Sequence, residues 1–131
     1  MPLQDALLLG IAAMIVHEMA HVSFALALKV KVHQVGINWK GPYVRRASGT
    51  AAENLAITLA GPGINLWLAL LLHHMSPHFA LCNLAIGISN LLPIPSSDGS
   101  RALHLIRNLV SLWGGSVATS SMPVAVSSEM K

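Results

Sequence analysis

The chain has 131 residues, room for one compact unit, and 53% of them are hydrophobic against 10% charged. Soluble domains carry about 25% charged residues, so a chain this poor in charge cannot cover a globular surface with polar groups, and lipid is its expected solvent. The net charge of +3 arises from Lys and Arg clustered between apolar runs, not from a basic stripe, which argues against a nucleic-acid partner; a single cysteine, Cys82, excludes an internal disulfide.

In chain order, the first apolar run covers residues 6–28. Its length meets the roughly 20 residues needed to cross a bilayer core. It does not read as a signal peptide: no Lys or Arg precedes it, and the only charge there is Asp5. Next, Val35, Ile37 and Trp39 alternate with Gly36, Asn38 and Lys40. Period-two alternation predicts a strand. Lys40-Gly41-Pro42 is a turn signal, and Tyr43-Val44-Arg45 is the returning strand of a short hairpin.

Two further apolar runs, 55–72 and 79–95, are short but apolar enough to be read as spans, giving three in all. Past Asp98-Gly99-Ser100, the residues Leu103, Ile106 and Val110 recur at helical spacing and predict a short C-terminal helix. From Gly114 onward Ser, Thr, Gly and Val dominate. The expected organisation is therefore one core over 1–113 and a disordered tail over 114–131. The fold class is an all-α membrane protein: a three-transmembrane-helix core, a surface β-hairpin and a short last helix.

Basic residues set the orientation. Lys29, Lys31, Lys40, Arg45 and Arg46 flank or occupy the hairpin, Arg101 and Arg107 follow the third run, and the link between runs two and three has none. The positive-inside rule places the hairpin and the C-terminal part in the cytoplasm, in the cell membrane.

The chemistry lies in His17-Glu18-Met19-Ala20-His21. On a helix, residues four apart share a face, so His17 and His21 can grip one metal ion. Glu18 is about 100° round from His17. It cannot readily join both histidines as a ligand, but it can act as general base on a metal-activated water. Ionisable groups inside an apolar helix point to function by default. A catalytic zinc site usually takes a third protein ligand, and the chain has five acids, Asp5, Glu18, Glu53, Asp98 and Glu129. Asp98 follows a segment broken by Pro93 and Pro95, where a wet cavity is expected. Spacing alone leaves it open whether Asp98 is a ligand or an ordinary helix N-cap. Asn65 and Asn90 lie in apolar runs beside proline-containing breaks. Each could donate to a developing oxyanion or to substrate, or serve as interhelical glue.

Three motifs in order carry a family resemblance: His17-Glu18-Met19-Ala20-His21, Ala60-Gly61-Pro62-Gly63-Ile64-Asn65, and Asn90-Leu91-Leu92-Pro93-Ile94-Pro95 with Asp98-Gly99. Asn83 and Arg101 fit the same pattern. In these the chain resembles the site-2 protease family of intramembrane zinc metalloproteases. The resemblance implies a three-helix catalytic core and one zinc ion per chain held by His17, His21 and Asp98. It implies a place near the site for Asn65 and Asn90. It also implies cleavage of transmembrane protein substrates, with the site opening to the cytoplasm and the hairpin receiving substrate as an added strand. The sequence departs from the family in having Ser97, not Leu, before Asp98, and in lacking the accessory helices and peptide-binding domain that members carry. A bare core implies that gating and substrate selection are either simple or supplied by a partner, a regulatory membrane protein or a second copy of the chain. The competing readings are a catalytically silent membrane scaffold or substrate-binding protein, and a metal-handling membrane protein. The presence of Glu18 speaks against the latter, which has no use for a general base.

Overall fold

A computed structural model describes residues 2–38 and 41–119. Among them, helix α1 (Leu3–Ala27) leads into an antiparallel hairpin of β1 (Val32–Asn38) and β2 (Gly41–Arg46). Helices α2 (Ala51–Leu72), α3 (Pro77–Leu91) and α4 (Asp98–Thr119) follow.

The turn out of α1 fixes where the hairpin starts. Val30 N–H donates to the Ala25 carbonyl at 2.8 Å and Lys29 N–H to the Leu26 carbonyl at 3.0 Å. Lys29 takes a φ of 59°. This is a Schellman ending with lysine in the left-handed position that glycine usually fills. It folds Val30 back onto Ala25 and Ile57 of α2, all three buried. The strands pair with Val35 opposite Val44 and Ile37 opposite Pro42, and the register shifts between Val32 and Gln34. The expected turn falls partly on Trp39 and Lys40, which lie outside the described residues.

Helix α2 opens on a capping box: Glu53 N–H donates to Thr50 Oγ1 at 3.2 Å, and Thr50 N–H donates to Glu53 Oε2 at 2.7 Å. The Arg46 guanidinium donates to Asn54 Oδ1, and Asn54 Nδ2 donates to the Gly49 carbonyl, so the end of β2 is tied to the first turn of α2.

The interior is made of small and polar side chains. Ala13, Ala60, Ala69, Ala80, Gly61, Gly87, Asn65, Asn83 and His17 are buried, whereas Leu7, Ile15, Trp67, Leu70, Leu81 and Ile88 are exposed. Water would drive the reverse arrangement. Close backbone approach through small residues, with amides bonding across helices, is how helices pack when the solvent is hydrocarbon.

The expectation of three spanning helices is not met. Among the described residues, two helices are long and apolar enough to cross a membrane, α1 with 25 residues and α2 with 22. Helix α3 has only 15 residues, about 22 Å at 1.5 Å per residue, against a hydrocarbon core of about 30 Å. It stops because Leu92 precedes Pro93, which bars the helical conformation and leaves Leu92 extended at ψ 138°. Hydropathy runs on through Pro95, but the helix cannot. The last helix is also not short: α4 has 22 residues and continues to Thr119, into the segment read as a tail. Residues 120–131, the remainder of that segment, lie outside the described residues.

Candidate metal centre

Helices α1 and α4 bring three candidate ligand atoms to one point. His17 Nε2 lies 3.0 Å from Asp98 Oδ2, His21 Nε2 lies 3.2 Å from the same oxygen, and the two ring nitrogens are 3.2 Å apart. His17 and Asp98 are buried and His21 is half-buried. Four ligands at about 2.0–2.1 Å from a tetrahedral zinc ion lie about 3.3 Å from one another. The observed triangle is close to one face of such a tetrahedron.

The protonation of the rings is set by what lies behind them. His21 Nδ1–H donates to the Ile57 carbonyl at 2.6 Å. A carbonyl only accepts, so the proton must be on Nδ1. His17 Nδ1–H donates to Asn65 Oδ1 at 2.7 Å. The Asn65 amide cannot be turned round, because its Nδ2 donates to the Ala13 carbonyl at 3.1 Å and to Asn83 Oδ1 at 2.8 Å. Asn83 is anchored in turn, its Nδ2 donating to the Phe79 carbonyl at 2.9 Å. A neutral imidazole protonated on Nδ1 carries a lone pair on Nε2. Two such lone pairs and a carboxylate oxygen face one another, and they need positive charge between them. A ring proton serves one contact at a time, whereas a divalent cation serves all three, so the donor set fits zinc.

Asp98 reaches this point because another residue caps its helix. Ser100 N–H donates to Ser97 Oγ at 3.2 Å, so Ser97 is the N-cap of α4 and the Asp98 carboxylate is free to face the histidines. Ser96, at φ 74°, makes the turn before it. Gly99 is required here: a β-carbon would run into the carbonyls of Leu91 and Leu92 at the end of α3. Burial alone would raise the Asp98 carboxyl, but without an ion a proton taken up on the Nε2 of either ring is donated to it, and these hydrogen bonds outweigh burial and hold the group well below the usual carboxylate range.

Gly61 lets α2 approach this closely. A β-carbon there would lie 2.7 Å from His17 Nε2 and would overlap His21 Nε2. In the next position Pro62 gives no N–H to the Thr58 carbonyl, in the same turn whose Ile57 carbonyl holds His21.

Glu18 is half-buried and lines a cavity of about 210 Å³ together with His17, His21 and Asp98. Asn90 also lines it, its Nδ2 donating to the Ile86 carbonyl one turn back at 3.1 Å. Asn65 does not line it. Both its amide protons are used within the helix bundle, so it has no donor for substrate and instead orients His17. The sequence reading gave Asn83 no role of its own. Its signal was an amide in the middle of an apolar run, and its place is behind Asn65. Compared with known proteins, the chain matches no family model and no characterised protein by sequence.

Proposed function

We propose that this protein is an intramembrane zinc metalloprotease of the site-2 protease type. The observation that carries the reading is the convergence of His17 Nε2, His21 Nε2 and Asp98 Oδ2 within 3.2 Å, with Glu18 on the wall of the same cavity. The three motifs in the sequence support it, as does the inside-out packing around α1 and α2.

His17, His21 and Asp98 hold the ion, one per chain. When bound there, zinc acidifies a coordinated water and polarises the scissile carbonyl. Glu18 takes the proton from the attacking water and returns it to the departing amine, so that one water is consumed and the peptide bond yields a carboxylate and an amine. Asn65 keeps the His17 ring in one tautomer throughout. Asn90 faces the reacting groups from the end of α3. The substrate is a transmembrane segment or its flank, held extended along the hairpin so that its amide is exposed. The chain crosses the cell membrane more than once, with the cavity open to the cytoplasm on the side of Lys29, Lys31, Arg45 and Arg46. A regulatory membrane partner or a second copy would supply substrate selection.

The test is Glu18→Gln in detergent-purified protein, assayed for bound zinc and for cleavage of single-span substrates. The expected outcome is zinc retained and cleavage lowered by about 10² to 10⁴, the usual range for losing a general base. Cleavage at the wild-type rate would overturn the mechanism. Wild-type protein that binds zinc yet cleaves nothing would favour a silent scaffold. For orientation, Gln34→Cys should resist an impermeant thiol reagent applied to intact cells; ready labelling would reverse the topology.

A further inference from the structure

The metal cavity does not end at the ligands. Val44, Arg46, Thr58 and Arg101 line it and also line a second, larger groove of about 720 Å³ between β2 and α4. The two therefore adjoin across these side chains, the groove lying outward of His17, His21 and Asp98 along the hairpin. The outer part is basic: Arg45, Arg46, Arg101 and His104 line it, and no acidic side chain does among the described residues.

The two inner arginines are under-used by the fold. Among the described residues Arg46 donates only to the neutral oxygens of Asn54 and of its own neighbour Ala47. Arg101 is 66% exposed and stands 3.7 Å from Asp98 Oδ1, a contact too long for a good hydrogen bond, while the other oxygen of Asp98 is committed to the histidines. Burial and the facing Arg101 charge both disfavour the charged form of Arg46, a repulsion that an anion between them would relieve. Glu18 lies on the wall of the metal cavity and not of the groove.

From this we infer that Arg46 and Arg101 form a carboxylate-recognition subsite, which selects substrates carrying Asp or Glu in the extended segment next to the scissile bond. The inference rests on the proteolytic reading, which it deepens by naming the substrate class. A peptide is favoured over an anionic lipid headgroup because the groove shares Val44, Arg46, Thr58 and Arg101 with the metal cavity, so an extended chain over the ligands passes directly beside it. The planar guanidinium matches a carboxylate two-to-two.

Binding tests this without any need for turnover. Two fluorescent extended peptides, identical except for a central Glu-Glu or Gln-Gln pair, are titrated by anisotropy into zinc-loaded protein in uncharged detergent. The Glu peptide should bind about tenfold more tightly, the effect of one charge-assisted hydrogen bond in a partly solvated groove. Arg101→Gln and Arg46→Gln should each remove most of that preference, and Arg107→Gln, an exposed residue of α4 outside the groove, should not. Bound zinc and melting temperature show that each variant is folded; Arg101 is exposed, so its variant decides the matter if Arg46→Gln is unstable. Equal binding of the two peptides, or a preference untouched by both substitutions, overturns the subsite. Displacement of the Glu peptide by phosphatidylglycerol vesicles but not by unlabelled Glu peptide overturns it in favour of a lipid headgroup. Cleavage of Glu and Gln substrates with equal efficiency removes the subsite and leaves the protease reading standing. Selective Glu-peptide binding without cleavage of any substrate does the opposite.

Discussion

Asn65 accepts the Nδ1 proton of His17 at 2.7 Å, and both side chains are buried. That bond joins the middle of α2 to the metal-binding face of α1, and it decides which nitrogen of His17 is left to bind an ion. Asn65→Ala removes the acceptor and lets the ring turn or change tautomer. Zinc affinity should fall about 10- to 100-fold, as is usual when the partner of a metal-binding histidine is lost. Competition with a chromophoric chelator measures it. An unchanged affinity would mean that His17 is oriented by packing alone.

Gly61 and Gly63 make a matched pair. Both are in α2, but a β-carbon at Gly61 collides with the two imidazoles, whereas one at Gly63 meets nothing within 4 Å. Gly61→Ala should abolish stoichiometric zinc binding and cleavage, and Gly63→Ala should retain both. Full zinc occupancy in the Gly61→Ala protein would show that the rings can retreat from α2, and the ligand geometry would need revision.

Ser97 should matter more than its chemistry suggests. Ser97→Ala removes the N-cap of α4, a loss of about 1 kcal/mol, and leaves Asp98 as the nearest replacement cap. A carboxylate drawn to the helix N-terminus is drawn away from the histidines. The expected result is a lower melting temperature together with weaker zinc binding, both restored by Ser97→Thr. A drop in stability with zinc affinity intact would show that Asp98 is held in place by the histidines and not by the cap.

The pH dependence of Asp98 has a definite sign. Its carboxyl is held below the ordinary value of 3.8 in the folded protein. A depressed pKa contributes stability above the ordinary value, and that contribution is lost as the pH falls below it. Chelated wild type should therefore melt above chelated Asp98→Asn at about pH 6, and the gap should close in the range below about pH 4. A gap that persists unchanged to about pH 2.5 would place the stabilisation elsewhere.

How much of this was legible in the sequence depends on distance along the chain. His17, Glu18 and His21 sit within five residues, so helical geometry alone places them. The hairpin was legible because Val35 and Ile37 alternate with polar or small neighbours. Asp98 was ambiguous because its partner lies 81 residues away; only the observed Ser97 cap separates ligand from cap. For Asn65 the sequence left a substrate contact and an interhelical bond both open, and no local pattern could show that Ala13 and Asn83 would take up its amide protons. The third span failed for a different reason. Apolar content carries on past Leu91, but Pro93 ends the helix, and a hydropathy average does not register a backbone break.

The same 81-residue separation has a bearing on the life of the protein in the cell. An ion held by His17, His21 and Asp98 would fasten the last helix to the first, closing a long loop. Among the described residues no disulfide shares that task, since Cys82 is free. Loss of such an ion would unlatch α4 and uncover Asp98 and Ala102, which the packing buries. Cellular zinc supply would then govern how long the protein itself escapes quality-control proteases.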